Sequence, residues 1–185
     1  MAQAVCPWWL GYFLISPLRR LTQDPRKVVC PYVREGMIVL EPGPGMGFFT
    51  LEMGRLVGPS GRVVAVDIQP RMLSSLKRRA ARAGLLERLD ARLATPDTLG
   101  INDLAGAVDF TLAFALVHEL PAAEPFFKQV AMASKRGAGL LFVEPGGHVK
   151  TEQFEAELDA AIHAGFELVE RPAIRRSLAA FLKRT

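Results

Sequence analysis

Residues 41–47 read Glu41-Pro42-Gly43-Pro44-Gly45-Met46-Gly47, set between the apolar run Met37–Leu40 and a helix-period stretch. No other part of the chain constrains the fold so tightly. A strand that turns at once into a helix needs backbone angles that glycine adopts without steric cost. Glycines also let a ligand approach the main chain. The helix start beyond them carries unpaired N–H groups and partial positive charge, suited to a carboxylate or phosphate. Twenty residues after Gly47 a second apolar run, Val63-Val64-Ala65-Val66, ends at Asp67. An acidic side chain at that distance can take both hydroxyls of a ribose.

Spacing separates the possible nucleotide ligands. A dinucleotide loop follows G-x-G-x-x-G/A. Counted from Gly43, the third small residue falls on Phe48; counted from Gly45, it falls on Thr50. A P-loop ends in Gly-Lys-Ser/Thr, and no such run is present. The pattern that fits is acidic-x-G-x-G-x-G, from Glu41 to Gly47.

With Val63-Val64-Ala65-Val66-Asp67-Ile68, this loop resembles the class I S-adenosylmethionine-dependent methyltransferases, over roughly residues 30–185. Val108-Asp109-Phe110, leading to Ala113-Phe114-Ala115-Leu116-Val117-His118-Glu119-Leu120, is similar to the small-molecule enzymes of the ubiquinone/menaquinone-biosynthesis type. The resemblance implies a Rossmann-like three-layer α/β sandwich, with a seven-stranded, mostly parallel sheet closed by a C-terminal antiparallel hairpin. It implies S-adenosylmethionine as cofactor and a small-molecule methyl acceptor. Gly43, Gly45 and Gly47 would line the methionine part, Glu41 would organise the loop or reach the amino group, Asp67 would bind the ribose and Ile68 would press on adenine. Thr95, by side chain or backbone, would reach the adenine edge, and Phe114 and Ala115 would stand where cofactor and acceptor meet. The Asn/Asp-Pro-Pro-aromatic motif of enzymes that methylate exocyclic amines of nucleic acid is missing, since Phe114-Ala115-Leu116-Val117 stands in its place. So are the acidic ligands of metal-dependent catechol methylation, and no metal is expected.

Three further groups face the acceptor question. His118 can be a hydrogen-bonding group at a helix start, or a general base with a free pKa near neutral. Glu144 and His148, at the end of the apolar run Leu140–Val143, are acceptor-side candidates, and as a pair fall short of a metal site. Trp9, within the aromatic stretch 6–14, can wall the acceptor, pack on the sheet or sit at a membrane boundary.

Alternation of apolar runs with helix-period stretches independently argues for an α/β fold. Strands are expected at 37–40, 62–66, 89–93, 108–114 and 140–143, with a closing hairpin at 166–170 and 177–182. Helices are expected at 48–56, 69–83, 122–134 and 152–164. In the second, Leu73, Leu76, Ala80 and Ala83 should point inward, with Arg71, Ser75, Arg78 and Arg82 outward. The last should bury Phe154, Leu158, Ala161 and Ile162. A chain of 185 residues is expected to form one domain, with residues 1–30 as an aromatic cap and 31–185 as the core.

Cys6 and Cys30 make no metal or disulfide pattern, and the apolar stretch 5–15 is too short to span a bilayer. Both favour a cytoplasmic protein. The net charge of +4 permits an acidic partner without requiring one. The basic cluster Lys77, Arg78, Arg79 and Arg82 is expected to be the wet face of a helix rather than a nucleic-acid footprint. Two other readings stay open: a cofactor-binding protein without independent activity, and an RNA methyltransferase.

Overall fold

The computed structural model describes residues 23–185; Trp9 and the rest of the aromatic stretch lie outside the described residues. Seven strands form one sheet in the order β3-β2-β1-β4-β5-β7-β6, with helices packed against it. Pairing is parallel for β1–β2, β2–β3 and β4–β5, and antiparallel for β5–β7 and β6–β7. This is the expected seven-stranded sheet with its closing hairpin. The chain clusters into two compact units, dividing between Gly100 and Ile101.

The first unit begins with α1 (Pro25–Val29), capped by Asp24, whose carboxylate accepts the Arg26 N–H at 3.0 Å. Strands β1 (Ile38–Pro42), β2 (Arg62–Asp67) and β3 (Leu89–Leu93) follow, with helices α2 (Thr50–Leu56) and α3 (Pro70–Arg82) between them. Val63, Val64, Ala65 and Val66 are all buried, as a parallel strand covered on both faces requires. Leu51, Ala65, Leu73, Leu76, Ala80 and Leu85 form one packed cluster under Leu89 and Ala91.

Two details of α3 differ from expectation. Ala83 is exposed, because the helix ends one residue earlier and Gly84 turns the chain. Ser75 is buried beside Leu76, so the inward stripe is broader than the apolar residues alone indicate.

The second unit holds β4 (Val108–Phe114), α4 (Ala123–Ala133), β5 (Ser134–Pro145), α5 (Thr151–His163), β6 (Phe166–Glu170) and β7 (Ser177–Arg184). Strand β5 starts six residues before the expected Leu140. Its early part contains Gly137 and Gly139, which read as a loop in sequence. A Cβ at Gly139 would come within 2.9 Å of the Phe181 ring and 3.2 Å of Phe110, so this strand glycine makes room for aromatic packing. Further along β5, Phe142 stacks on Phe154 of α5 at 4.8 Å and meets the edge of Phe127 of α4 at 5.5 Å. These aromatic contacts tie both helices to one strand. Ile162 is 41% exposed and falls outside the buried stripe. Among the described residues, no helix is long and apolar enough to cross a membrane.

Candidate functional site

The glycine loop sits at the carboxyl end of β1. Gly43, Gly45 and Gly47 all have positive φ, at 68°, 55° and 84°. Their roles differ. The Gly43 N–H donates to the Val66 carbonyl of β2 at 2.8 Å, which fastens the loop to the sheet, and the Gly47 N–H closes a turn on the Pro44 carbonyl at 2.9 Å. A Cβ on Gly47 would run into the Leu76 side chain of α3, whereas a Cβ on Gly45 would meet nothing within 4 Å. Gly47 is therefore required by packing of the loop on α3, and Gly45 borders open space.

That contrast sets one expected result. Gly47→Ala adds an overpacking penalty to left-handed strain and should cost about 3 kcal/mol. Gly45→Ala should cost about 1 kcal/mol, from strain alone. Urea unfolding of the two variants measures the difference, and equal costs would contradict this division of roles.

Glu41, the last acidic group before the loop, is buried and held by a 2.5 Å hydrogen bond from the Thr50 hydroxyl of α2. Burial pushes its carboxyl up to about 8; the Thr50 bond opposes this and the Asp67 charge adds to it. Glu41 thus organises the start of α2 with its proton retained at neutral pH. Asp67 ends β2, and its Oδ1 accepts the Gln69 N–H at 2.8 Å, shaping the turn into α3. Ile68 beside it is 41% exposed.

Two neighbours were missed from the sequence. Leu93 pairs in register with Asp67 across β2 and β3 and is 59% exposed, a second apolar surface at the same strand ends. Arg79 was placed on a wet helix face, but its guanidinium donates to the Met46 carbonyl in the loop. A charged residue at a helical spacing that also suits solvent gave no signal for that reach. Thr95 and Thr98 bond reciprocally through their backbones, at 3.1 and 3.3 Å. The Thr95 backbone is thereby engaged, and its side chain is exposed.

The second unit carries the other candidates. Phe114 ends β4, and Ala115 follows at φ 53°, a conformation uncommon for a residue with a Cβ. Its N–H donates to Val143 at 2.7 Å. This reversal leads into the short 3-10 turn Val117–Glu119, and Glu144 of β5 anchors that turn. Glu144 is fully buried. Its Oε1 accepts the Val117 N–H at 2.8 Å and the His118 N–H at 3.3 Å, while Oε2 lies 2.5 Å from His118 Nδ1. The bond assigns the proton to Nδ1 and leaves Nε2 as the basic nitrogen.

Of the two histidines, the one that bonds to Glu144 is His118. His148 lies on the exposed turn after β5 and meets the His118 ring edge-on, centroids 5.2 Å apart. The hydrogen bond to Glu144 raises the His118 pKa above its ordinary value, against desolvation, with added attraction from Glu144, Glu119 and Glu157. Glu157 of α5, also missed from the sequence, is buried with one oxygen bonded to Gln153 at 2.9 Å. Among the described residues, no cluster of three or more His, Cys, Asp or Glu could hold a metal ion.

Comparison with known proteins places this geometry. A family model described as a methyltransferase domain matches residues 39–137, from β1 into the start of β5. The ubiquinone/menaquinone biosynthesis C-methyltransferase of Cronobacter sakazakii is 30% identical over 116 residues, 62% of this chain and 45% of that protein. A tRNA (adenine-N(1))-methyltransferase of Methanocaldococcus jannaschii is 30% identical over 77 residues, 38% of this chain and 27% of that protein. The chain spans less than half the length of these curated relatives. A SAM-dependent methyltransferase from Aquifex aeolicus has a similar fold, with a TM-score of 0.86 at 21% identity, over 98% of this chain and 100% of that one.

Proposed function

This chain belongs to the class I S-adenosylmethionine-dependent methyltransferase family, and on that premise we propose that it methylates a small-molecule acceptor. The observation that carries the reading is the 30% identity over 116 residues to a ubiquinone/menaquinone biosynthesis C-methyltransferase, and the candidate cradle from Glu41 to Thr95 falls inside the matched stretch 39–137. The residues fit the cofactor. Gly45 borders open space for a methionine tail, Asp67 is an acidic strand end for ribose, and Ile68 and Leu93 offer exposed apolar surface for adenine. Arg79 holds the loop carbonyl of Met46 and so keeps the loop in shape.

S-adenosylmethionine supplies an electrophilic methyl group on a positively charged sulfur. The chain's task is then alignment, exclusion of water and removal of one proton from the acceptor. His118 is assigned that proton. Its Nδ1–H is fixed on Glu144, so Nε2 would accept the proton that the acceptor gives up. The positive charge that the imidazole would gain is compensated by buried Glu144. His148 and, from the aromatic cap at 1–30, Trp9 are assigned to contact the acceptor. Residues 1–185 act together as one methyltransferase domain in this reading.

The short likeness to a tRNA enzyme favours a second reading, an RNA acceptor. The basic helix face offers it modest support, because Arg79 is turned to the loop and Arg78 lies 3.5 Å from the Ser75 hydroxyl. Release of S-adenosylhomocysteine from methyl-labelled cofactor separates the readings. Turnover with pooled small hydroxylated or aminated metabolites and none with tRNA is the expected result. Turnover with tRNA alone would replace it, and cofactor binding without turnover on either would leave a binding protein.

A further inference from the structure

Phe142 and Glu144 are two residues apart on β5, so their side chains share one face of the sheet. Phe154 and Glu157 are three apart on α5, so they share one face of that helix. The Phe142–Phe154 stack at 4.8 Å joins those faces, and brings Glu157 within electrostatic reach of both Glu144 and His118. Glu157 is 8% exposed. Gln153 donates to its Oε1 at 2.9 Å, whereas its Oε2 is buried and makes no hydrogen bond among the described residues. Leaving a carboxyl oxygen unsatisfied costs about 1–3 kcal/mol, and an apolar side chain beside Phe154 and Leu158 would avoid that cost. Packing therefore gives no reason for a carboxyl at this position. Glu144 and Glu157 both lie beyond residue 137, outside the family match.

We propose that Glu157 is a positioning residue of the acceptor-side base, a second buried carboxyl that governs when His118 gives up its proton. The inference rests on the reading of His118 as the base. The groups facing His118 are Glu144 from β5, Glu157 from α5, Glu119 on its own turn and the His148 ring at 5.2 Å. Burial raises the pKa of Glu157; the Gln153 bond and His118 oppose this, and Glu144 adds to it. With its proton held, Glu157 leaves His118 to Glu144. As pH rises Glu157 ionises, and its new negative charge retains the proton on His118.

The chain has only three histidines, so their ring signals can be followed individually by NMR in the full chain, with His148 and His163 assigned from single variants. Glu157→Gln should move the His118 midpoint down by about half a unit to one unit, leaving exposed His163 unmoved. Gln153→Leu, at an exposed position, should move it the same way by a smaller step, because Glu157 then holds its own proton longer. An unchanged His118 midpoint in Glu157→Gln would overturn the proposal. If that variant does not fold, an unchanged midpoint in Gln153→Leu would overturn it equally. The titration uses neither cofactor nor acceptor. Its failure leaves methyl transfer standing, and failure of cofactor binding leaves this result standing.

Discussion

Asp67→Ala is expected to weaken S-adenosylmethionine binding by about 100-fold or more. A hydrogen bond to a charged group contributes about 1.5–3 kcal/mol, and the ribose presents two hydroxyls to this carboxylate. Asp67 also accepts the Gln69 N–H at 2.8 Å, so alanine removes the turn into α3 as well. The variant should therefore lose about 1 kcal/mol of stability. Asp67→Asn separates the two effects. Its amide oxygen can still accept from Gln69, preserving the turn, while the charge is gone; about tenfold weaker binding at wild-type stability is expected. Titration calorimetry reads the affinity and thermal unfolding the stability. An Asp67→Ala protein that binds the cofactor as tightly as wild type would remove Asp67 from the site.

The second large effect belongs to Glu144. Glu144→Ala leaves three donors without their acceptor: the Val117 N–H, the His118 N–H and His118 Nδ1–H. Breaking a buried, charged arrangement of this kind costs about 3–5 kcal/mol, and the variant should unfold at much lower denaturant. Glu144→Gln is gentler on the fold and more telling. Its carbonyl can serve the two backbone N–H groups, but its NH2 then faces Nδ1. That favours the opposite tautomer, with the proton on Nε2, and His118 can no longer accept one there. Methyl transfer should fall by about 10²–10⁴-fold, while cofactor affinity stays near wild type.

The pH profiles carry a sign that can be checked. The raised His118 pKa means that its ion pair contributes stability fully below the ordinary histidine value of 6.5, and that this contribution is lost as pH rises through the raised folded value. Methyl transfer runs the other way, because the base must be neutral, so the rate should climb through that same raised value. An unchanged rate in Glu144→Gln, or an activity that falls as pH rises through this range, would exclude His118 as base.

The glycine loop and the Val63–Asp67 strand were legible because each pairs an apolar buried run with a residue type that packing does not call for. Glycine alternation at 43–47 and an acid at the end of a valine run are both costly unless geometry requires them. Secondary structure followed from periodicity except where a neighbour dictated the residue. Gly139 reads as a loop but sits in a strand to admit Phe181, a contact about forty residues away. The candidate site was half legible. His118, Glu144 and His148 stood out as titratable residues near strand ends, but sequence position did not say which histidine bonds to Glu144. His148, four residues on, is the nearer in sequence. The positive φ of Ala115 instead folds the β4 exit back, delivering His118 from 26 residues away. Glu157 and Arg79 looked like ordinary polar positions of amphipathic helices. Their roles depend on what those helix faces pack against, which a single helix's periodicity does not contain.

The central claim, that this chain's glycine loop and Asp67 form a cradle for S-adenosylmethionine, is tested most directly by isothermal titration of the purified chain with that cofactor. One-to-one binding in the micromolar range, competed by S-adenosylhomocysteine and lost in Asp67→Ala, is the predicted result. No detectable binding at millimolar cofactor, or binding untouched by Asp67→Ala, would contradict it.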